Sequence, residues 1–343
     1  MAITNRVAIV GKGEFGQTLG SLLVEAGHSE ISYCHRDSQG EYSAQQLDFL
    51  KTADVILYTV KSEAMPSVIQ KTKPYISQDA KIISAVKGMR YDAETKTLTT
   101  TTDLLEQEFP NNVIAALSGP NLSAEINAKK PTFTVIAAQD KEGPRRYLIL
   151  TERLCRLFKT SYFRPIPGLD LKGLEYGGAL KNPLAIATGF IRAYFGPSCN
   201  TFGSVIEWGW TDLKRIYQKI SEQRFGEARD LPEGCMGDLS ATATSSDSRN
   251  YKFGRKLGKA HQTKDQGAVA KALKCGLKKT VEGLPTLQAI CSYAQTHNVP
   301  LVILPELHGI IFEGKDPAEL NFDTLEKRVL KTHWMQYMQK EHP

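Results

Sequence analysis

The first half of the chain alternates short apolar runs with amphipathic segments. Residues Val7–Val10 are apolar throughout, and in residues 15–26 the apolar positions recur at helical spacing. The same alternation predicts strands at 7–10, 30–34, 54–60, 81–86, 112–117 and 132–137. Because these apolar strands are separated by helical segments such as 65–73, they predict a parallel sheet with helices on both faces.

The pattern changes after residues 162–167, and helical spacing then dominates. Residues 170–194 form one long apolar helical pattern that contains Pro183, where a kink is expected. Further helices are predicted at 204–221, 250–262, 266–275, 283–296 and 300–313. The small polar residues 242–248 predict a ligand-facing loop with N-capping residues. We therefore expect two domains, an α/β domain at 1–167 and an all-α domain at 168–343.

The first strand leads into Gly11-Lys12-Gly13-Glu14-Phe15-Gly16, which opens a helix. In such a turn the first glycine permits an unusual backbone conformation, the second leaves room for a pyrophosphate, and the third lets the helix approach the strand. The N–H groups of residues 14–17 and the positive end of the helix dipole then face an anion. Strand, turn and helix together predict a dinucleotide site in a Rossmann-type, doubly wound sheet.

Composition narrows the classes of partner. The chain has 343 residues, 41% hydrophobic and 23% charged, with a net charge of +6, an ordinary globular composition. The densest basic runs are dipeptides, so no nucleic-acid partner is expected. Six cysteines without metal-ligand spacing predict neither zinc nor disulfides. No signal-peptide pattern and no long uncharged apolar stretch occur, so we expect no membrane span and a cytoplasmic location.

Several polar residues stand where chemistry is expected. Lys87 follows the strand at 81–86, and Ser118-Gly119-Pro120-Asn121 follows the next strand; a solvated loop lysine also fits Lys87. Gly177 and Gly178 weaken a helix by about 1 kcal/mol each, which is tolerable where another group must approach closely. Lys181 lies in an apolar helical run, where desolvation lowers the pKa of a lysine; an alternative is that it snorkels to water.

A second polar set follows far downstream. Asp238 is a carboxylate that can orient a lysine, and Arg249 with Asn250 at a helix start makes a suitable phosphate clamp. Each of these residues also fits an ordinary helix cap or a surface ion pair.

Taken in order, these motifs resemble the bacterial type of the NAD(P)-dependent sn-glycerol-3-phosphate dehydrogenase family. The most specific matches are the segments Gly-Gly-Ala-Leu-Lys181-Asn182, Gly-Asp238 and Ser248-Arg249-Asn250. The resemblance extends from Val7 to about Phe312. It implies a Rossmann domain followed by an all-α domain of the 6-phosphogluconate-dehydrogenase type. It also implies reversible reduction of dihydroxyacetone phosphate to sn-glycerol 3-phosphate, which supplies glycerophospholipid synthesis.

The resemblance assigns roles residue by residue. Lys181 becomes the general acid, Asp238 holds and tunes that lysine, and Lys87 adds positive charge near the substrate carbonyl. The implied substrate-binding residues are Lys87, Gly119, Asn121, Lys181, Asn182, Asp238, Ser248, Arg249 and Asn250. The implied cofactor-binding residues are Gly11, Gly13, Glu14, Phe15, Gly16, His35, Arg36, Lys87, Ser123, Arg249, Thr280 and Glu282. No metal is implied, and a homodimer is a family-level expectation.

The end of the second strand bears on the choice of cofactor. NAD binding normally uses an acidic residue there, whereas this strand ends in His35-Arg36-Asp37. Arg36, with His35, can pair with a 2′-phosphate, while Asp37 can favour NAD or pair with Arg36. We therefore predict NADPH, with NADH also usable. Two alternative functions stay open: a related dehydrogenase of another phosphorylated or carboxylated hydroxy compound, and a catalytically silent NAD(P)-binding sensor.

Overall fold

A computed structural model describes residues 6–139, 144–278, 281–319 and 322–341. The chain divides into two compact units. The first comprises the residues up to Met89, Thr99–Gly178 and Pro232–Asp238, and the second comprises Arg90–Leu98, Ala179–Leu231 and the residues from Leu239 on. The domain division at 167/168 stays a prediction.

The first unit is built on a sheet that has seven strands within the described residues. In chain order the strands of the protein are β1 (Val7–Val10), β2 (Ile31–Cys34), β3 (Val55–Tyr58), β4 (Lys81–Ser84), β5 (Met89–Asp92), β6 (Thr97–Thr100), β7 (Val113–Ser118), β8 (Thr132–Ala138) and β9 (Phe163–Pro167). The large sheet has the order β2-β1-β3-β4-β7-β8-β9, and β5 pairs with β6 separately.

Helices cover both faces of this sheet. Those of the first unit are α1 (Glu14–Glu25), α2 (Ala44–Lys51), α3 (Met65–Thr72), α4 (Thr101–Glu108), α5 (Ser123–Asn127) and α6 (Pro144–Arg156). Alternate residues of β1 enter different cores: Val7 and Ile9 pack with residues of α1, α5 and α6, whereas Ala8 and Val10 pack with residues of α2, α3 and α4. The doubly wound α/β architecture predicted from the sequence is confirmed.

The parallel register aligns the carboxyl ends of the central strands. Val10 pairs with Cys34 on β2 and with Tyr58 on β3, and Tyr58 pairs with Ser84 on β4. The residues after these strands therefore meet at one edge of the sheet, where ligands of open α/β sheets bind.

One strand departs from the expected direction. The strand β8 runs antiparallel to β7, so the prediction of a uniformly parallel sheet is wrong there. The link between them contains only the five-residue helix α5, whereas parallel strands are usually joined by a crossover built around a full α-helix. The strand β9 and the β5–β6 pair were not predicted, because their short, partly polar sequences lack an apolar run.

The second unit is mainly helical. Helix α7 (Leu171–Tyr194) passes from the first unit into the second, as does α9 (Cys235–Thr244). The other helices are α8 (Cys199–Phe225), α10 (Arg249–Gln262), α11 (Gln266–Lys278), α12 (Gly283–Thr296), α13 (Leu304–Phe312) and α14 (Phe322–Glu341). The helical second half is thus confirmed, and Pro183 lies inside α7.

Two boundaries in this unit differ from the sequence prediction. The predicted loop 242–248 is shorter, because residues 242–244 complete α9; Ser248 caps α10 as expected. The predicted helix at 300–313 begins only at Leu304. The backbone N–H groups of Val302, Ile303 and Leu304 donate to the carboxylate of Asp212, which fixes that helix start.

Candidate active site

In the turn between β1 and α1, backbone conformation and close packing require glycine at two positions. Gly11 has φ +114°, a conformation that favours glycine. A Cβ on Gly16 would lie 2.6 Å from Thr59 Oγ1 and 2.7 Å from Gly11 O. Thr59 Oγ1 itself donates to Gly11 O at 3.1 Å. Thr59, which the sequence did not single out, therefore fixes the turn.

Gly13 differs, because neither its backbone conformation nor a contact with the described residues requires glycine. Its φ of −72° suits any residue, and a Cβ there would meet no described atom within 4 Å. Gly13 is the N-cap of α1 and no side chain caps that helix. The N–H groups of Glu14, Phe15 and Gly16 have no backbone acceptor among the described residues, whereas Gln17 N donates to Gly13 O and does not face outward as predicted. Open space beside unpaired N–H groups at a helix start fits a pyrophosphate.

Two charged side chains flank this helix start. Lys12 and Glu14 are both exposed, and Lys12 Nζ lies 5.8 Å from the centre of the Tyr33 ring. Among the described residues, the Glu14 carboxylate has no ion-pair partner. A carboxylate in this position repels a bound phosphate, so Glu14 opposes the attraction of the helix dipole.

The segment after β2 holds His35, Arg36 and Asp37. The Asp37 carboxylate accepts backbone N–H groups of Gln39 at 2.8 Å and Glu41 at 2.9 Å. These donors, that of Glu41 most, lower the pKa of Asp37. His35 Nδ1 lies 3.2 Å from Gln46 Nε2. Arg36 is exposed, and its guanidinium has no partner within the described part of the chain. Asp37 thus holds its own loop and leaves Arg36 unpaired.

Lys87 contacts a carboxylate that lies 151 positions away. Its Nζ donates to Asp238 Oδ2 at 2.7 Å and approaches Gly119 O at 3.4 Å. The Asp238 side chain is 2% exposed and that of Lys87 is 18% exposed. The solvated-loop interpretation of Lys87 is therefore wrong. The sequence did not predict this ion pair, and both residues belong to the first unit.

The Ser118–Asn121 turn approaches the glycine pair of α7. A Cβ on Gly178 would lie 2.6 Å from Ser118 Oγ and 3.8 Å from Lys87 Cδ. The expectation that the glycines allow a close approach is confirmed at Gly178. Asn121 Nδ2 donates to Thr134 Oγ1 at 2.8 Å, while its buried Oδ1 has no hydrogen-bond partner among the described residues.

Two further residues of the first unit, Ser123 and Gly119, were predicted to bind the cofactor and the substrate, respectively. Ser123 is the first residue of α5 and is half-buried. Gly119 has φ +149°, and a Cβ there would lie 3.2 Å from Thr134 Cα. Glycine is therefore required at position 119 by backbone conformation and by space together.

Lys181 is buried in the second unit. It is 6% exposed, which excludes the snorkelling alternative. Its Nζ donates to Thr242 Oγ1 at 2.5 Å. Thr242 lies one helical turn after Asp238 on α9, a position that was predicted as loop. Asp238 belongs to the other unit, and its action on Lys181 stays a prediction.

Asn182 and Asn250 form a buried amide pair beside the start of α12. Asn250 Nδ2 donates to Asn182 Oδ1 at 2.9 Å, and Gly283 N donates to Asn250 Oδ1 at 3.0 Å. Asn182 is 3% exposed, and its Nδ2 has no hydrogen-bond partner among the described residues. An unpaired buried amide donor costs about 1–3 kcal/mol, so this N–H group suits a ligand oxygen.

The start of α10 adds a cation to this amide pair. Ser248 Oγ accepts the N–H of Tyr251 at 3.2 Å, so its side chain serves as the helix cap. Arg249 follows with a side chain that is 64% exposed and whose Nη2 lies 3.5 Å from Glu282 Oε1. Exposed guanidinium, buried amides and a helix N-terminus together can bind a phosphate. Thr280 lies outside the described residues.

Three further observations concern metal ligands, cysteines and membrane spans. Among the described residues, no group of histidine, cysteine, aspartate and glutamate side chains could hold a metal ion. All six cysteines are described, and none forms a disulfide. In the same part of the chain, no helix is long and apolar enough to cross a bilayer.

Solved structures with this fold are known. Glycerol-3-phosphate dehydrogenase from Coxiella burnetii superposes with a TM-score of 0.73 at 23% identity, covering 95% of this chain and 99% of that one. The Plasmodium falciparum glycerol-3-phosphate dehydrogenase gives 0.75 at 20% identity, covering 93% and 94%. At these identities the likeness shows a shared fold.

Sequence comparison adds the family. The family models described as NAD-dependent glycerol-3-phosphate dehydrogenase N-terminus and C-terminus match residues 41–143 and 170–321. A glycerol-3-phosphate dehydrogenase (NAD(P)+) of Rhizobium johnstonii is 32% identical over 292 residues, covering 78% of this chain and 84% of that protein. The same enzyme of Syntrophotalea carbinolica is 25% identical over 348 residues, covering 94% and 98%. The chain belongs to the NAD-dependent glycerol-3-phosphate dehydrogenase family.

Proposed function

We propose that this protein is an oxidoreductase that reversibly reduces dihydroxyacetone phosphate to sn-glycerol 3-phosphate and supplies glycerophospholipid synthesis. The observation that carries the proposal is the buried Lys181 beside Asn182, whose side-chain Nδ2 has no partner among the described residues. A buried lysine is suited to proton transfer, and an amide donor without a partner is available to hydrogen-bond a polar ligand. The relatives named as glycerol-3-phosphate dehydrogenases give the same substrate.

Lys181 is the proposed general acid. The hydrogen bond to Thr242 Oγ1 orients its Nζ, which donates a proton to the C2 oxygen as negative charge develops there. In the reverse direction the neutral amine accepts that proton. Stabilisation of a developing oxyanion in a water-poor site is usually the largest single contribution to catalysis, and the burial of Lys181 provides such surroundings.

The remaining polar residues are proposed to bind and orient. Arg249, Asn250 and Asn182 bind the substrate phosphate and hydroxyl oxygens, with Ser248 holding the helix start. Lys87 carries positive charge, and the hydrogen bond from its Nζ to Asp238 Oδ2 fixes its direction. Gly119 and Asn121 contribute further substrate contacts.

The cofactor is proposed to bind at the start of α1. Gly11, Gly13, Phe15 and Gly16 form the turn, and the unpaired N–H groups there fit its pyrophosphate. Ser123, Glu282, Thr280 and Arg249 are the further cofactor-binding positions. When bound, a nicotinamide supplies or accepts the hydride at C2 of the substrate. NADPH is the proposed cofactor, with NADH usable, because Arg36 is unpaired and Asp37 is occupied with its own loop.

A spectrophotometric assay tests the activity directly. The purified protein should oxidise NADPH in the presence of dihydroxyacetone phosphate. It should not oxidise NADPH in the presence of keto acids, the oxidised forms of carboxylated hydroxy compounds. Turnover of a keto acid without turnover of dihydroxyacetone phosphate would favour a related dehydrogenase. Cofactor binding without any turnover would favour a silent sensor.

Replacement of the proposed acid tests the mechanism. Lys181→Met should lower kcat/KM by at least about 100-fold, because general acid catalysis is lost, while NADPH binding stays within about twofold. Lys271→Met, at an exposed position of α11, is the matched control and should be unchanged. Near-normal activity of Lys181→Met would contradict the proposed role.

We also propose a homodimer and a cytoplasmic location. The six cysteines without a disulfide support a reducing compartment. The assembly rests on the family expectation, and sedimentation equilibrium will measure it; a monomeric mass at micromolar concentration would overturn it.

A further inference from the structure

The second unit contains a cavity of about 510 Å³ that is lined by cations. Its charged lining residues are Arg192 near the end of α7 and Lys252, Arg255, Lys256 and Lys259 on α10; no acidic residue lines it. None of the residues assigned above to the cofactor or the substrate lines this cavity. We name it the cationic cavity.

The charges of the cationic cavity are not neutralised by the protein. Across the described residues, the side chains of its five cations make no hydrogen bond or ion pair. On α10, Lys252 and Lys256 are four residues apart, as are Arg255 and Lys259, and such like-charged pairs destabilise a helix by a few tenths of a kcal/mol. Residues 249–262 contain no aspartate or glutamate to offset them. An anion would relieve this repulsion.

Packing on the opposite side fixes the direction of the cationic row. A Cβ on Gly254 would contact Ile186 O and lie 2.9 Å from Phe190 N, and a Cβ on Gly258 would contact Phe190 O and lie 3.1 Å from its Cα. The backbone of α10 therefore lies directly against α7. Because Phe253 and Leu257 are also buried, the helix cannot rotate its cations away from the cavity.

We propose that the cationic cavity binds a chain of two or more phosphoryl groups, such as nucleoside triphosphates and inorganic polyphosphates carry. The row from Lys252 to Lys259 extends about 10 Å along the helix axis, which exceeds the reach of one phosphate. This inference is independent of the proposed function, because its readout is binding of an anion.

Titration calorimetry with inorganic tripolyphosphate tests the proposal. The protein is first saturated with NADP+ and dihydroxyacetone phosphate, both of which are oxidised and so do not react, so that their sites do not bind the probe. The double variant Lys256→Glu/Lys259→Glu should weaken tripolyphosphate binding by about tenfold or more, since it removes two charge-assisted contacts. Its kcat and KM should be unchanged. Raising the salt concentration should weaken binding to the unaltered protein.

The matched control reverses two charges elsewhere in the same unit. Lys271→Glu/Lys274→Glu changes exposed lysines of α11 and should leave the tripolyphosphate Kd within about twofold. If charge reversal prevents folding, Lys256→Gln/Lys259→Gln should also weaken tripolyphosphate binding, by a smaller factor. Equal weakening in the cavity and control variants, or none in either, would overturn the proposal.

Two further probes identify the anion. Equal Kd values for tripolyphosphate and ATP would support a site for the phosphoryl chain alone, and tighter ATP binding would support a nucleotide site. Inorganic phosphate should bind at least about tenfold more weakly, and equal affinity would contradict the proposal. Vesicles of phosphatidylglycerol that bind where tripolyphosphate does not would assign the surface to a membrane instead.

Discussion

At the scale of single residues, two neighbouring charged side chains in the loop after β2 differ in their contacts. Asp37 accepts two backbone N–H groups of its own loop, and this use lowers its pKa. Arg36 is exposed and carries a guanidinium that nothing in the described residues neutralises. The sequence alone left open whether Asp37 pairs with Arg36 or binds a ribose. Because the Asp37 carboxylate is held by its own loop, the structure favours neither of these two roles for Asp37.

Arg36 is therefore the residue whose replacement should change cofactor preference. Arg36→Ala should raise the KM for NADPH by about tenfold, because a charge-assisted contact to the 2′-phosphate contributes about 1.5 kcal/mol. The KM for NADH should stay within about twofold. Initial-rate kinetics with both cofactors measure the difference. Arg164→Ala, at an exposed position of β9, is the control. Equal changes for both cofactors would contradict a 2′-phosphate contact.

The site residues were predictable only in part. The glycine turn was predictable because strand, turn and helix are adjacent in the sequence. The ion pair between Lys87 and Asp238 was not, because no local pattern connects residues 151 positions apart. The burial of Lys181 depends on the packing around α7, and its helix position alone also predicts snorkelling to water. The family resemblance, rather than spacing, supplied its candidate role.

At the scale of elements, one carboxylate determines where α13 begins. Asp212 is fully buried on α8 and accepts three successive backbone N–H groups at 2.7, 2.8 and 3.1 Å. The first N–H groups of a helix have no partner within it, so a buried helix start needs an acceptor from elsewhere. Here the acceptor comes from about ninety residues earlier in the chain.

Removal of this cap should destabilise the second unit. Asp212→Ala leaves three buried N–H groups without an acceptor and should lower the free energy of unfolding by about 2–4 kcal/mol. Urea unfolding followed by circular dichroism measures the loss. Asp265→Ala is the matched control: Asp265 accepts one N–H, that of Ala268, at an exposed position, so about 1 kcal/mol or less is expected. Equal losses would show that burial of the cap is unimportant.

Elements with a long periodic pattern were predicted well, and elements defined by distant contacts were not. Helices α7 and α10 to α12 have apolar residues at helical spacing, and their predicted ranges agree with the observed ones to within three residues. The start of α13 was placed four residues early, because the Asp212 cap is invisible in the local sequence. Helix α9 was missed for another reason: its small polar residues resemble a loop, and it forms around buried Leu239 and Ala243.

At the scale of the whole molecule, buried carboxyl groups connect stability to pH. Burial raises the pKa of Asp212 to about 6, although three backbone N–H groups oppose the shift. Burial likewise raises the pKa of Glu175 in the first unit. A carboxyl group with a higher pKa in the folded state binds more protons there than in the unfolded chain. Its stabilising contribution is therefore complete below the unfolded pKa near 4 and is lost as pH rises through the folded pKa.

Asp212→Asn isolates this contribution because asparagine does not titrate. Between pH 4 and pH 7.5, the free energy of unfolding of the unaltered protein should fall by about 2–3 kcal/mol relative to that of the variant, from a pKa difference of about two units. All other titrating groups are common to both proteins and cancel in this difference, which urea unfolding at several pH values measures. A difference that does not depend on pH would mean that Asp212 titrates alike in the folded and unfolded chains. A difference of the opposite sign would mean that the three N–H donors outweigh burial and lower its pKa.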